Sequence, residues 1–186
     1  MTMKPLEILK HEHKVILLVV EAAECEAQSI KKAGKVNAER IAKMVDFIRN
    51  FADKCHHAKE ENQLFVIMEQ HSFSMQTGPI AVMLSEHDKG RQMAKTISDS
   101  LSSAADGDKD AIRVIADNLR DYARLLRLHI EKEDNILYAM ADSVLTDEEQ
   151  KMLSEAFEKI ENDEIGKGVH EKYHTLAHEL SNGGKQ

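Results

Sequence analysis

The chain has 186 residues, of which 42% are hydrophobic and 31% are charged, and it contains two prolines and no tryptophan. This length and composition suit one compact, soluble and mostly helical domain. The formal net charge of −8, without a basic stripe interleaved with aromatic residues, argues against a nucleic-acid partner. No apolar run is long enough for a signal core or a membrane span, so we expect a cytoplasmic protein without a membrane partner. Two cysteines without CxxC spacing predict free, largely buried thiols.

Apolar residues recur at spacings of three and four along nearly the whole chain, which predicts helices throughout. Long helices are expected over about 5–32, 38–70, 79–101 and 110–141, with a stop near Gly34 and an N-cap at Asn37. A capping box at Thr146 opens a fifth, shorter helix, and a sixth covers about 169–180. The prediction is an all-α protein: an up-down-up-down four-helix bundle, residues 1–145, with two shorter C-terminal helices, 146–186, packed on it.

The fourth helix places His129 and Glu133 inside an otherwise apolar stripe, four residues apart and therefore on one face. A buried carboxylate without a partner costs several kcal/mol, and a metal ion would supply the compensating charge. For one such pair alone, a hydrogen-bonded core histidine with a glutamate at the rim is the preferred explanation.

The stretch CHHAKEE offers two more pairs, because His56 with Glu60 and His57 with Glu61 have the same spacing. We compare both with the fourth helix by counting from the histidine. At offsets +7, +8 and +11 stand Ile136, Leu137 and Met140 after His129; Leu64, Phe65 and Met68 after His57; and Gln63, Leu64 and Ile67 after His56. The polar Gln63 breaks the apolar stripe in the last register. We therefore predict that His57 and Glu61 face inward and that His56 and Glu60 form an outer pair.

The first and third helices each carry one histidine on an apolar stripe, His13 and His87. His11 precedes His13 by two positions and should point away from that stripe. Four helices that each offer an inward histidine, two of them with a carboxylate four residues later, form a pattern that is rare by coincidence.

Four motifs carry a family resemblance: EH at 12–13, HAKEE at 57–61, EHDKGR at 86–91 and HIEKED at 129–134. In their order and spacing the sequence resembles the hemerythrin family, specifically its HHE cation-binding branch, over roughly residues 5–141. The resemblance implies a four-helix bundle that holds two iron ions joined by an oxo or hydroxo bridge. It also implies these metal ligands: His13, His57, His87 and His129 as terminal ligands, and Glu61 and Glu133 as bridges.

The sequence departs from the oxygen-carrying hemerythrins at Met83, where they place a second histidine four residues before the third-helix ligand. The implied ligand set then leaves two coordination positions open instead of one. Such a site favours redox chemistry with dioxygen, peroxide or nitric oxide over simple oxygen carriage. Tyr122, Glu24 and Glu86 are possible extra ligands, although ordinary core or surface positions explain them more simply. Arg91 either supports the site behind His87 or forms a salt bridge to a neighbouring helix.

The sequence therefore predicts a non-haem di-iron protein that binds or reacts with dioxygen, nitric oxide or peroxide, and it leaves open whether the protein is an enzyme and whether it forms oligomers. An alternative is an oxygen, redox or iron sensor, or an iron-handling module, that signals to a protein partner through the C-terminal helices. A third is a zinc hydrolase built on HEKYH, with His170 and His174 as ligands and Glu171 as base. A histidine-rich closing helix, which also includes His178, explains that motif more simply.

Overall fold

In a computed structural model the protein consists of helices joined by short connections; the structure describes residues 3–166 and 168–183, leaving aside the side chain of Glu164. The helices are α1 (Pro5–Ala33), α2 (38–70), α3 (Gly78–Ala105), α4 (109–144), α5 (147–166) and α6 (Val169–Asn182). The first four form the predicted all-α bundle, with α1 against α4, α4 against α3, and α3 against α2. Within the described residues no helix has the length and apolar character needed to cross a membrane.

The helix ends follow the capping residues of the sequence. Gly34, at a φ of 66°, donates its backbone N–H to Ile30 and ends α1 in the left-handed conformation that glycine adopts without strain. The side chain of Asn37 accepts the N–H of Arg40 at the start of α2. The predicted capping box of Thr146 at the start of α5 is also present.

Two of the long helices contain π-helical turns at equivalent places. In α2 the segment Glu60–Leu64 is a π-helix, and in α4 the segment Glu133–Leu137 is one. The N–H of the residue after each segment donates to the carbonyl of the glutamate that opens it, five residues earlier. A longer π-helix, Ile48–His57, precedes the first of these in α2. Such turns add residues without ending the helix, and they are frequent at functional sites.

Two apolar cores occupy the two ends of the bundle. The larger is built around residues such as Val19, Phe47, Ile97 and Leu119, and the smaller around Leu9, Phe65, Met83 and Leu137. Each fully buried side chain of this size contributes roughly 1.5–3 kcal/mol. Between the cores lies a belt of buried histidine and glutamate side chains.

Helices α5 and α6 pack on the bundle. Phe157 of α5 joins the smaller core, and Tyr173 of α6 joins the larger. The hydroxyl of Tyr173 also donates to Asp46 of α2 at 3.0 Å. The division into residues 1–145 and 146–186 as separate units stays a prediction.

The two cysteines are free, but they differ in environment. Cys55 is buried in α2, and Cys25 is exposed on α1. The expectation of buried thiols therefore holds for Cys55 alone. Burial raises the pKa of the Cys55 thiol to about 12, so it stays protonated.

Candidate metal centre

The belt between the cores contains two groups of side chains that could each hold a metal ion. We call His57, His87 and His129 the three-histidine cluster, and His13, His56, Glu60 and Glu133 the histidine–glutamate cluster. Within each group the ligand atoms lie within 4.8 Å of one another, and every member is buried. The four bundle helices all contribute, and α2 and α4 each contribute to both clusters.

Helix α2 can supply two adjacent histidines because they end its long π-helical segment. A π-turn holds more residues than an α-turn, so neighbouring side chains diverge less around the axis. His56 and His57 both reach the interior, with exposures of 1% and 6%. One enters each cluster.

All five imidazoles have a carboxylate at the ring nitrogen that faces away from the centre. The Nδ1–H groups donate to Asp134 from His13 (2.8 Å), to Glu12 from His56 (3.0 Å), to Asp53 from His57 (3.3 Å), to Glu61 from His87 (2.6 Å) and to Glu86 from His129 (2.9 Å). Ionised carboxylates only accept hydrogen bonds, so each Nδ1 carries the proton. Each Nε2 is then available as a ligand, which is the arrangement that orients histidines in metal sites.

Glu60 and Glu133, the two carboxylates of the histidine–glutamate cluster, also face the three-histidine cluster. Glu133 places Oε1 3.1 Å from Nε2 of His129, and Oε2 3.2 Å from Nε2 of His13. Glu60 places Oε2 3.4 Å from Nε2 of His87 and 3.7 Å from Nε2 of His56. Each glutamate therefore faces ligand atoms of both clusters.

Several buried polar atoms at this centre have no hydrogen-bond donor beside them among the described residues. Oε2 of Glu60 and both carboxylate oxygens of Glu133 are buried without a hydrogen bond. The Nε2 atoms of His87 and His129 are only 3.1 Å apart, so their lone pairs repel unless a proton or a cation lies between them. Buried carboxylates without partners are strongly unfavourable. Imidazole nitrogen and carboxylate oxygen suit iron, manganese or zinc, so the residues fit a pair of such ions.

The pKa values describe how protons occupy this centre when no metal does. Burial lowers the pKa of His56 to about 4 and, with the nearby charge of His87, that of His57 well below its ordinary range. Burial alone would lower the pKa of His13, but its contacts with Asp134 and Glu133 raise it to about 9. Burial and the charge of Glu133 raise the pKa of Glu60 well above its usual value. These shifts favour a proton on His13 and on Glu60 in the metal-free protein, where a cation would otherwise compensate the buried charge.

The prediction that His56 and Glu60 form an outer pair is wrong, because both side chains are buried. Glu60 is 0% exposed, whereas the side chain of Glu61 is 23% exposed and accepts hydrogen bonds from His87 and from Arg91 at 2.5 Å. Glu61 therefore supports His87 at its Nδ1 atom, and Glu60 takes the interior position that was predicted for Glu61.

The physical reason for this error is the π-turn. Offset +7 after the histidine is not a buried position, since Ile136 at that offset is 54% exposed. The buried offsets are +8, +9 and +12, which are Leu137, Tyr138 and Ala141 after His129, and Leu64, Phe65 and Met68 after His56. An alignment of KEENQL with KEDNIL pairs Glu60 with Glu133, and this similarity could have identified Glu60 as the inward glutamate from the sequence.

Other predicted residues lie around the centre in different roles. Glu24 pairs with Arg127 at 2.8 Å on the surface, whereas Glu86 accepts from Nδ1 of His129 and from Lys132. Tyr122 is buried beside the three-histidine cluster, and Arg91 contacts Asp53 and Glu61, the acceptors of two histidines.

The site contains five inward histidines instead of four. Met83 is packed in the smaller apolar core, and the fifth imidazole is that of His56. The sequence had placed His56 outside.

A third group, Glu12, Glu161 and His170, is close enough in space to hold a cation. It already contains one, because the fully buried Lys59 donates to Glu12 and, at 2.5 Å, to Glu161. Nε2 of His170 also lies 3.2 Å from Glu12. The group is therefore an ion-pair network that joins α5 and α6 to the bundle.

The remaining residues of the HEKYH motif lie at the same interface. The ring of His174 is 4.6 Å from that of His170 and 5.7 Å from that of His11, while Glu171 and His178 are exposed. His170 and His174 of the motif therefore contribute to the packing of α6 on the bundle.

A helical bundle with paired clusters of buried histidine and glutamate defines a class of metal-binding proteins. Residues 4–141 match the Hemerythrin HHE cation binding domain, and the chain belongs to this family. The family and the two clusters indicate that the protein binds metal cations.

Curated relatives include uncharacterized proteins of Mycobacterium bovis and of two strains of Mycobacterium tuberculosis, each 23% identical over 160 residues. The alignment covers 86% of this chain and 62% of each relative, so the chain spans less than two thirds of their length. No solved structure matches the chain.

Proposed function

We propose that the chain binds two iron ions and that the loaded site binds or reacts with dioxygen, nitric oxide or peroxide. The proposed ligands are the five Nε2 atoms of the two clusters, with Glu60 and Glu133 as the bridging carboxylates. The observation that carries the proposal is the set of unpartnered carboxylate oxygens that lie among those nitrogens. Iron supplies reversible one-electron chemistry and coordination positions for small molecules.

The surrounding residues hold the ligands in place. Each Nδ1–H bond fixes the rotation of its ring and keeps Nε2 free for the metal. The hydroxyl of Tyr138 donates to Oε1 of Glu60 at 2.6 Å, which leaves Oε2 directed at the centre. The apolar cores on either side exclude water from the ligands. With His56 as a ligand, one of the two positions that the sequence left open is filled.

The test is anaerobic loading with ferrous iron, followed by metal analysis and by optical titration with dioxygen, nitric oxide and hydrogen peroxide. We expect two iron ions per chain and a change in the visible spectrum with at least one of the three. A Glu131→Gln variant, in which an exposed glutamate near the site is altered, serves as the control. Less than one iron per chain, or a spectrum that none of the three reagents changes, would contradict the proposal.

A sensing function is the second candidate, because the centre is connected to the C-terminal helices. Glu12 accepts hydrogen bonds both from His56 of the centre and from His170 of α6. Lys59 adjoins Glu60 in the chain and donates to Glu161 of α5. A shift of either ligand when metal binds or changes oxidation state would therefore move contacts of α5 and α6.

Hydrogen exchange with and without iron tests the sensing function. It predicts altered protection in α5 and α6, beyond the change in the bundle itself. Equal protection of residues 147–163 and 169–182 in both states would exclude signalling through these helices.

A further inference from the structure

A cavity of about 210 Å³ lies against the three-histidine cluster. His57, His87 and His129 line it together with other residues of α2, α3 and α4. A cavity of about 150 Å³ in another protein holds benzene, so this space admits a molecule of about six to eight non-hydrogen atoms. It is far larger than dioxygen, nitric oxide or hydrogen peroxide requires.

The lining of the cavity favours a neutral molecule with an apolar body. Ile48, Ala94, Leu126 and the ring of Tyr122 supply apolar surface away from the histidines. The charged groups in the wall are largely paired with one another or with neighbours.

Two sets of contacts account for this pairing. Arg91 contacts Asp53 at 2.8 Å, and Glu86 is held by Lys132 and by His129. Arg49 is exposed at the edge of the cavity. Apart from the solvent-exposed Arg49, the charged side chains that line the cavity are already paired, so an ionic group on a molecule deep in the cavity would lack a free counter-charge in the wall.

Gly90 keeps part of this space open. It lies in the middle of the long helix α3, where glycine costs roughly 1 kcal/mol relative to alanine. A Cβ atom at this position would lie 3.5 Å from Cε2 of Tyr122 and 3.9 Å from Cδ2 of Leu126, in ordinary contact. Alanine therefore fits, whereas a larger side chain would occupy the cavity or displace Tyr122.

We propose that this cavity binds a small neutral organic molecule with one hydroxyl or hydroperoxide end. The apolar body would lie against Ile48, Ala94 and Leu126, and the polar end would face the three-histidine cluster. This inference rests on the proposed function, because the metal site is what the polar end would meet. It extends the peroxide chemistry of that site to organic hydroperoxides and their alcohols as ligands.

The experiment uses tert-butanol, an inert analogue of tert-butyl hydroperoxide, and zinc-loaded protein, so that the readout involves no redox activity. Saturation-transfer NMR should show transfer from the protein to the methyl groups of tert-butanol. Gly90→Ala should keep the signal within about two-fold of wild type, because the new methyl group makes only ordinary contacts. Gly90→Leu should reduce it at least five-fold.

Ala94→Leu fills the same cavity from the next turn of α3 and gives a second test if Gly90→Leu does not fold. Metal content is measured on every variant. Absence of transfer in wild type, or equal transfer in wild type and a folded cavity-filling variant, overturns the cavity proposal. Failure of the chain to load iron while tert-butanol still binds contradicts the proposed function and the extension to hydroperoxide chemistry, and it supports only the binding of a small organic molecule in the cavity.

Discussion

In both clusters of the metal centre each histidine donates from Nδ1 to a carboxylate, but the surroundings of the two clusters differ. Behind the three-histidine cluster the supporting carboxylates, such as Asp53 and Glu61, are partly exposed and are held by Arg91 at the surface. Behind the histidine–glutamate cluster, Asp134 at His13 is likewise 32% exposed, but Glu12 at His56 is 1% exposed and its partner Lys59 is 0% exposed. One cluster adjoins a cavity, and the other is covered by α5 and α6.

This difference assigns separate tasks to the two halves. The three-histidine cluster has space beside it, so it is the half that a small molecule can reach. The histidine–glutamate cluster is covered by Tyr138, which donates to Glu60, and by Glu12 with its partner Lys59, so we expect this half to hold metal and carboxylates in place. Substitutions in the two halves should therefore have different consequences.

The largest effect is expected for Glu133→Gln, because Glu133 faces both clusters with one oxygen each. The amide loses the negative charge and offers one acceptor oxygen in place of two. We expect iron retention after dialysis to fall by more than a hundred-fold, with the helical circular dichroism unchanged. This exceeds the ten- to hundred-fold loss typical of altered supporting residues. Retention like that of the Glu131→Gln control would show that Glu133 is no ligand.

The next prediction separates Glu60 from Glu61. Glu60→Gln should abolish binding of at least one iron, because its unpartnered oxygen lies between His56 and His87. Glu61→Gln should retain both ions, with affinity lowered about ten-fold through the lost support of His87. Metal analysis at limiting iron distinguishes the two outcomes. Loss of iron only in Glu61→Gln would restore the orientation predicted from the sequence.

Most of the fold follows from local sequence signals. Gly34, Asn37 and Thr146 mark helix ends by capping chemistry that acts within a few residues, and the apolar stripes identify the faces that pack. The family motifs then led to histidines that the structure brings together. These features depend on short-range interactions, and a sequence displays them directly.

The parts that could not be predicted depend on non-local structure. The stripe after His56 follows π-turns, so a pattern read with α-helical spacing selects the wrong glutamate. Glu12 was part of a motif, but its contact with His170 joins residues that are 158 positions apart. Lys59 looks like a surface residue in sequence, and only the folded arrangement shows it buried between two carboxylates.

The free energy of unfolding should respond differently to substitutions behind the histidine–glutamate cluster and behind the three-histidine cluster. Burial lowers the pKa of Lys59, but Glu12 raises it above its usual value, so the ammonium stays charged. Lys59→Met would leave Glu12 and Glu161 without their shared cation, at a cost of about 3–5 kcal/mol in the free energy of unfolding. Arg91→Met removes a more exposed cation and should cost about 1 kcal/mol or less.

Urea denaturation of the metal-free variants measures both free energies. The double variant Lys59→Met with Glu161→Gln should regain part of the loss, since it also removes one of the two unpaired carboxylates. If the Lys59 and Arg91 variants lost equal stability, the two halves would not differ in burial as the structure indicates.

The smallest effects are expected from the two tyrosines beside the clusters. Tyr138→Phe removes the donor to Oε1 of Glu60, so we expect about 1–2 kcal/mol of lost stability in the metal-free protein and a few-fold weaker iron binding. Tyr122→Phe should leave iron content unchanged, because no hydrogen bond joins Tyr122 to a cluster ligand in the described part of the chain. Iron titrations of the two variants make the comparison. If Tyr122→Phe lost more iron affinity than Tyr138→Phe, the tyrosine hydroxyl that supports the metal site would lie beside the cavity and not at the histidine–glutamate cluster.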